Sequence, residues 1–321
     1  MDDFANKETE RILAELERKI KRLYADASRD MKKKAEVYFS RFAERDKKQK
    51  AALDAGRITE EQYLQWRLAQ IGRGERMERL RDELADRMTN ANQTAAAYIN
   101  DKTPGIYSLN HNYEAYTIEK VAGNVGFTIV DEQTVRRLIQ EDPNLLPKRR
   151  VNAPKDLKWN RTRFTAEITS GILQGESIGK LANRVQNLSD ANRAGAIRNA
   201  RTAVTGAQNG GRQKANEAAE AMGISLENEW VATLDNRTRH SHRRLDGERV
   251  KVGHKFSNGC RFPGDPEGKP NEVWNCRCTM IGVIAEIKGV AAKRRDKYGL
   301  LPDMTYAQWE RQKRGEGYLQ E

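Results

Sequence analysis

The chain has 321 residues and a net charge of +12, and 37% of its residues are hydrophobic while 32% are charged. This length accommodates two domains, and the low apolar content predicts modest cores. No apolar run approaches the ~18 residues of a membrane span, and Met1–Phe4 lacks the basic and apolar regions of a signal peptide, so we expect no membrane contact and synthesis in the cytosol. The basic excess suggests a polyanion nearby, usually nucleic acid, although lysines and arginines that solvate long helices would give the same balance.

Residues 1–99 are predicted to form a helical arm or hairpin. Apolar residues recur every three or four positions from Leu13 to Phe42, which predicts one long helix over 8–48 with a single apolar stripe. Thr59 opens a capping-box pattern that starts a second helix. A one-striped helix needs a partner. That partner is either another protein, in which case the segment is a docking arm, or an internal bundle, and the scarcity of strongly apolar residues favours the arm.

Residues 100–156 are predicted to be a mixed segment that ends in a linker. The polar run 100–105, which contains Pro-Gly, predicts a loop. A strand is predicted over 127–130, and Asp131 is expected to cap a short helix. Three prolines between 143 and 154 then indicate a linker over 141–156.

Residues 157–223 are predicted to be a helical core. Ser177 follows a turn and is a plausible N-cap, and Asp190 is expected to begin a further helix that is rich in alanine and arginine. Gly223 has the position of a helix C-cap. Alanine-rich faces allow close packing of helices.

Residues 224–288 contain all three cysteines and three of the four histidines, and they are predicted to form a small β-rich module. Asp246-Gly247 is a hairpin signal between two strands. The predicted strands are Trp230–Leu234, Glu248–Val252 and Met280–Ile284. Residues 289–321 are predicted to be a basic tail with a short helix that starts at Thr305. The sequence therefore predicts an α+β fold with a long N-terminal helical arm or hairpin, a central helical core and a small C-terminal Cys/His module.

Four residues of this module are candidate zinc ligands: His242, Cys260, Cys276 and Cys278, with His240 and His254 in reserve. Zinc takes four N or S ligands in a tetrahedron, which one histidine and three cysteines would supply. In an extended strand the two sulfurs of Cys276-Arg-Cys278 point the same way. The usual zinc spacing of two to four residues is missing, so a β module with buried free thiols is the alternative.

The same stretch concentrates charge. Arg237, Arg239, Arg243 and Arg244 could bind phosphate or an acidic partner, or could simply be solvated around a turn. His240 or His242, beside arginine and aspartate, would suit a metal- or His-dependent nuclease. The pattern matches no hydrolase motif, and no Gly-rich phosphate loop is present. We therefore do not expect an enzyme, and nuclease activity is the alternative hypothesis.

The order of motifs resembles the Mu F-like minor head proteins of tailed phages, also called head-morphogenesis proteins. The resemblance covers roughly 105–285, including the segment Ile106–Leu146. It rests on Trp230, Asp235, Arg237-Thr-Arg239, His242, Leu245-Asp-Gly247, Pro263-Gly-Asp265 and Asn275-Cys-Arg-Cys278, with Gly175-Glu-Ser-Ile178, Ala200-Arg-Thr202 and the helix that ends at Gly223 upstream. Ala203 stands where many relatives have a glutamate.

The resemblance implies a low-copy virion protein that acts in head assembly, DNA packaging or genome delivery. Its expected partners are the portal protein, the major capsid or scaffolding protein and, without sequence specificity, the packaged DNA. Its expected location is the capsid interior near the portal, and the host cytoplasm during assembly. Within the motif, Trp230, Asp235, Asp246, Gly247 and Asn275 are expected to be structural.

Overall fold

The computed structural model describes residues 3–72, 75–233, 235–284, 295–296, 299–300 and 305–315. It confirms the α+β class: about 70% of the described residues are helical, and a small antiparallel sheet lies near the C-terminus. The helices are α1 (Phe4–Asp54), α2 (Glu60–Gly72), α3 (Glu75–Ala122), α4 (Glu132–Glu141), α5 (Ala153–Leu173), α6 (Ile178–Ala221), α7 (His240–Arg244), α8 (Pro270–Val273) and α9 (Tyr306–Lys313). The strands are β1 (Leu226–Val231), β2 (Arg249–Lys251), β3 (Thr279–Ile284), β4 (Arg295–Asp296) and β5 (Gly299–Leu300). Across the described ranges, none of these helices is both long enough and apolar enough to cross a bilayer.

The chain divides into two compact units built from non-contiguous segments. Unit 1 consists of Met1–Leu16, Ile99–Arg149 and Arg198–Glu321. Unit 2 consists of Glu17–Tyr98 and Arg150–Ile197. The division of the sequence into five consecutive parts remains a prediction.

In unit 2, the apolar stripe of α1 is covered by this chain itself. Its residues Ile20, Ala27 and Met31 are fully buried. The hydroxyl of Tyr24, also buried, donates to Asn92 Oδ1 of α3 at 2.5 Å. The stripe is therefore not available to another protein, and the partner that the periodicity requires is internal.

The capping box predicted at Thr59 is present. Gln62 N donates to Thr59 Oγ1 at 3.2 Å, and Thr59 N donates back to Gln62 Oε1 at 2.9 Å. This reciprocal pair satisfies two free amides at the start of α2, as the sequence pattern predicted.

The loop predicted over 100–105 was wrong, because α3 continues through it with Pro104 inside the helix. Thr103, Ile106 and Tyr107 are buried on either side of this proline. A proline within a helix costs about 3 kcal/mol, and we attribute the survival of the helix to the burial of these neighbours.

The strand predicted at 127–130 was also wrong, since the segment pairs with no strand of the described chain. It is extended because side chains of α3 satisfy its backbone. Glu119 Oε1 accepts hydrogen bonds from the amides of residues 125, 126 and 127, at 3.1–3.2 Å. Asn112 bridges both the N–H and the C=O of Val130. The predicted cap at Asp131 is confirmed, because its Oδ1 accepts from Thr134 N at 2.7 Å.

No new helix starts at Asp190, contrary to the prediction, because α6 runs unbroken from Ile178 to Ala221. Asp190 lies inside it and pairs with Arg193 at 3.1 Å. Aspartate stabilises a helix start only where backbone amides lack a partner. Inside α6, the amides near Asp190 already donate to carbonyls of the preceding turn. The expected ends are present: Ser177 Oγ accepts from Lys180 N, and Gly223 takes the left-handed conformation with φ +88°.

The three-stranded sheet has the order β2-β1-β3, with both pairs antiparallel. Trp230 stands opposite Met280, and Glu227 stands opposite Lys251. The returning strand was predicted correctly, but the tight turn at Asp246-Gly247 was not, because α7 lies between β1 and β2. Gly247, with φ +77°, instead leads into β2, and its amide donates to Trp230 O at 2.9 Å.

At the C-terminus, the helix predicted to start at Thr305 is present as α9, and Thr305 caps it with a capping box. Trp309 of α9 is buried in unit 1, and its Nε1 donates to Glu119 Oε2 at 2.6 Å. Leu234, at the end of the first predicted strand, lies outside the described residues, as do residues 289–294, 297–298, 301–304 and 316–321 of the predicted tail.

Candidate metal centre

A small apolar core lies against the sheet in unit 1 and contains all three cysteines. Trp230 of β1 is fully buried at its centre, with Leu245, Phe256 and Met280 around it. His242 enters from α7, and Cys276 and Cys278 enter from the segment that leads into β3. Two very short helices and the segment before β3 therefore supply the polar groups of the centre.

The structure brings together three of the four predicted ligands. One ligand atom each of His242, Cys276 and Cys278 lies within 4.8 Å of the other two, and all three residues are buried. His242 Nδ1 is 3.6 Å from Cys276 Sγ and 3.4 Å from Cys278 Sγ. The spacing of two residues places both sulfurs on one side of the extended segment, as the sequence predicted.

Glu272 of α8 holds the other nitrogen of the same imidazole. His242 Nε2 lies 3.0 Å from Glu272 Oε2, and Ser241 Oγ donates to that oxygen at 3.1 Å. With Nε2 protonated toward the carboxylate, Nδ1 presents its lone pair to the two sulfurs. This carboxylate–histidine pairing is typical of metal sites, in which it fixes the ring and raises ligand basicity. No pattern in the sequence points to Glu272, since its approach to His242 depends on the fold.

The thiols of the centre are electrostatically unequal. The hydrogen bond from Cys276, and then the neighbouring His242, lower the pKa of Cys278, while the same hydrogen bond and burial raise the pKa of Cys276. A thiolate beside an imidazole is the form in which these residues bind metal. The donors therefore fit a soft or borderline cation such as zinc.

The other predicted ligands do not join this group. Cys260 is buried in the same apolar core, and burial raises the pKa of its thiol to about 11. The His240 side chain is exposed, and His254 Nδ1 lies 3.4 Å from Val252 O. Among the described residues, only the three-residue cluster has ligand atoms converging on one point.

The loop after β1 is clamped to the cysteine segment. Arg277 makes a two-pronged ion pair with Asp235, at 2.5 and 2.7 Å, which holds the pKa of that carboxyl well below its usual range. Thr233 Oγ1 donates to Arg277 O at 2.7 Å. At the far side of the loop, Asp246 Oδ1 accepts from Ala232 N at 2.9 Å.

Asn275 shows why this residue type precedes the cysteines. It is the one described non-glycine residue with positive φ, at 58°, a conformation that asparagine tolerates better than most residues. Its amide donates to Thr202 Oγ1 of α6 at 2.8 Å. The turn at Asn275 therefore joins the cysteine segment to the helical core.

The four arginines of the predicted contact cluster have different surroundings. Arg239 donates to Trp274 O, and Arg243 Nε donates to Thr238 O at 3.0 Å. Arg237 and Arg244 are exposed. Two of the four thus stabilise the loop, and two are free to face a partner.

The geometry gives no support to the nuclease hypothesis at His242. Its ring is 1% exposed, and Glu272 and the two sulfurs surround it. A phosphodiester cannot reach this imidazole in the present conformation. The arrangement is suited to holding an ion rather than to exchanging protons with a substrate.

Comparison with known proteins supports the resemblance in the sequence. The model of the family described as "Phage Mu protein F like protein" matches residues 162–281. The chain is similar to minor head protein GP7 of Bacillus phage SPP1, with 25% identity over 320 residues, or 96% of each chain. It is also similar to the NAD(+)--arginine ADP-ribosyltransferase EFV of Enterococcus faecalis, with 31% identity over 147 residues, which are 45% of this chain and 30% of that protein. No solved structure matches it.

Proposed function

We propose that this chain is a Mu F-like phage minor head protein that takes part in head morphogenesis and associates with the portal inside the capsid. There it acts in head assembly, DNA packaging or genome delivery, and it is present in the host cytoplasm before assembly. The observation that carries this proposal is the similarity to a minor head protein over 96% of both chains. The transferase activity of the other relative is not carried over, since the chain spans 30% of that protein.

Portal association is tested by coexpression with the portal protein of the same genome. We expect the tagged chain to recover the portal, and mass spectrometry to find the chain in purified particles. The major capsid protein, expressed alone with the chain, is the specificity control. Recovery of neither portal nor capsid protein, together with absence from particles, would contradict the proposal.

The arginine cluster offers a residue-level form of the same test. Arg237, on the loop after β1, and Arg244, at the end of α7, are exposed, so they are our candidates for contact with the portal or with DNA. Arg237→Glu/Arg244→Glu should reduce portal recovery, because it reverses two charges without touching the hydrogen bonds of Arg239 and Arg243. Full recovery by this variant would remove the loop from the interface.

We further propose that His242, Cys276 and Cys278 bind one zinc ion. The support is the convergence of an oriented imidazole and two thiols in a buried pocket. Bound zinc would supply a structural cross-link between α7 and the segment that enters β3, which a small module with a limited core needs. Neither comparison names a metal, so the geometry alone carries this proposal.

Elemental analysis of untagged protein should give about one zinc per chain. Cys276→Ser should lose the metal, because a serine hydroxyl is a poor zinc ligand. Cys260→Ser should keep it, because Cys260 is outside the convergent group. Metal-free, folded wild type would refute the site, whereas loss in both variants would show that Cys260 is the fourth ligand that the sequence predicted.

A further inference from the structure

One helix of unit 2 carries a large aromatic side chain in solvent. Trp159 of α5 is 63% exposed. By contrast, the inward-facing residues Phe164 and Ile168 of the same helix are buried. Leaving an indole in water forgoes the stabilisation that burial gives large apolar side chains. Tryptophan is enriched at interfaces, so this exposed indole is a candidate contact residue.

Cations flank this indole on the same face of the helix. Lys155 and Arg163 lie four residues before and after Trp159, so the three side chains form one row, with about 6 Å between neighbours. Lys158 and Thr162 form the adjacent row. Two shallow grooves meet along these rows, since Lys158 and Thr162 line both of them, and Arg150 closes one end beside Trp159.

Several cations of α1 pair with acids of their own helix or of α3. Examples are Arg11 with Glu8 and Lys34 with Glu83. By contrast, Lys155, Lys158 and Arg163 make no ion pair or side-chain hydrogen bond within the parts of the chain that the structure describes, and all three are exposed.

The acid within this stretch is already engaged. Asp156 accepts hydrogen bonds from Asn92 and Asn160 at 2.9 and 3.0 Å. Both bonds are to its Oδ2, and the residue also lines the groove beside Trp159. Among the described residues that line this groove, three cations, Arg150, Lys155 and Lys158, outnumber this one carboxylate, so the face around Trp159 is positive.

We propose that this face of α5 binds single-stranded nucleic acid. A ligand of this face needs a flat apolar group to contact Trp159. It also needs anions on both sides of that group, about one helical turn away, to contact the cations. A nucleotide chain supplies both, because phosphates alternate with bases that can stack on an indole. In a duplex the base faces are already stacked on one another, so single strands should bind more tightly. The proposal depends on neither the portal contact nor the metal, and its test uses neither.

Equilibrium binding of the full-length chain to fluorescent dT20, followed by anisotropy, tests the role of the indole. Trp159→Ala should weaken binding by about 5- to 100-fold with no change in the salt dependence, because base stacking is not ionic. Trp159→Phe should recover most of the affinity. Trp274→Ala is the matched control, because Trp274 is also 63% exposed and lies in unit 1; it should bind as wild type.

The cations are tested through the salt dependence. Lys155→Gln/Lys158→Gln should flatten the slope of log K against log salt by about 1.4, or about 0.7 for each single-strand phosphate that the variant no longer neutralises. Lys47→Gln/Lys48→Gln, on exposed positions of α1, removes the same charge elsewhere in unit 2 and should leave the slope near that of wild type.

Three results would overturn the proposal. One is equal weakening by the α5 variants and their controls, which would indicate a diffuse charge effect. Another is an affinity for duplex DNA that equals the affinity for dT20 and is unchanged by Trp159→Ala. The third is the absence of dT20 binding at low salt. Circular dichroism of each variant verifies that the fold is retained, as expected for exposed positions.

Discussion

His242 depends on Glu272 for its orientation. Their 3.0 Å contact leaves Nδ1 facing the two sulfurs. Outer partners of this kind contribute to metal affinity without touching the ion. The proposed zinc site therefore needs a carboxylate that the sequence pattern does not identify.

We expect Glu272→Gln to weaken zinc retention by about 10- to 100-fold, measured by competition with a chromogenic chelator. The amide keeps the shape but loses the charge that stabilises the protonated Nε2. Glu267→Gln is the control, because Glu267 is an exposed acid that pairs with Arg261 instead. Equal affinity of the two variants would remove Glu272 from the site.

Glu114 is the second residue with an unusual environment. It is buried in unit 1, and its Oε1 accepts from Gly282 N at 2.7 Å. Burial raises the pKa of this carboxyl to about 7, although Arg212 nearby opposes that shift and Asp3 adds to it. The folded state therefore holds a proton on Glu114 that the unfolded state has released by about pH 6.

The sign of the pH effect follows from this shift. A raised carboxyl pKa contributes stability below its ordinary value of 4.5, and this contribution is lost as the pH rises through about 7. Urea unfolding at pH 5 and pH 8 should show wild type losing more stability across this interval than Glu114→Gln. An identical loss in both proteins would assign the effect to other groups.

Among the elements, α6 supports the candidate metal centre with polar side chains. Thr205 donates to Cys276 O at 2.7 Å, and Asn209 bonds Cys278 O and Met280 N. The alanine content of this helix predicted close packing, but the hydrogen bonds to the cysteine segment were not predicted. They satisfy backbone groups that the short strand β3 leaves unpaired on this side.

Close packing of α6 is nevertheless present where glycines meet. A Cβ built at Gly264, whose φ is +81°, would lie 2.7 Å from Gly206 N. Gly264→Ala should therefore lower stability by about 2–5 kcal/mol, because the left-handed backbone and the clash both add cost.

Gly259→Ala is the matched control for this substitution. Gly259 has φ +84°, but its Cβ would meet nothing within 4 Å. Only the conformational cost of about 1–2 kcal/mol should appear in chemical denaturation. If both variants lose the same stability, the approach of the loop to α6 is not tight in solution.

In the whole molecule, most of the helical signal comes from long helices, whereas the proposed metal ligands lie on short elements. Removal of zinc with a chelator should therefore lower the thermal midpoint while changing far-UV circular dichroism little. Cys276→Ser without chelator should reproduce the lower midpoint. A large loss of helicity on chelation would mean that the metal maintains more than the small β module.

Local patterns in the sequence determined several elements. The stripe of α1, the capping boxes at Thr59 and Thr305, the C-cap at Gly223 and the antiparallel strand after Gly247 all depend on near neighbours. The proximity of the Cys276 and Cys278 sulfurs also depends on near neighbours, because side chains two residues apart in an extended chain point to the same side. The ordered motifs also sufficed to indicate the family.

Only the tertiary structure decided the rest. The helix α3 continues through Pro104, no helix begins at Asp190, and residues 127–130 have no strand partner among the described residues. In each case contacts from residues distant in the sequence outweigh the local conformational preference. The partner of the α1 stripe is internal, and Glu272 joins His242 although thirty positions separate them. Local propensities differ by about 1 kcal/mol per residue or less, apart from proline, so burial and long-range hydrogen bonds determine the outcome wherever they disagree with them.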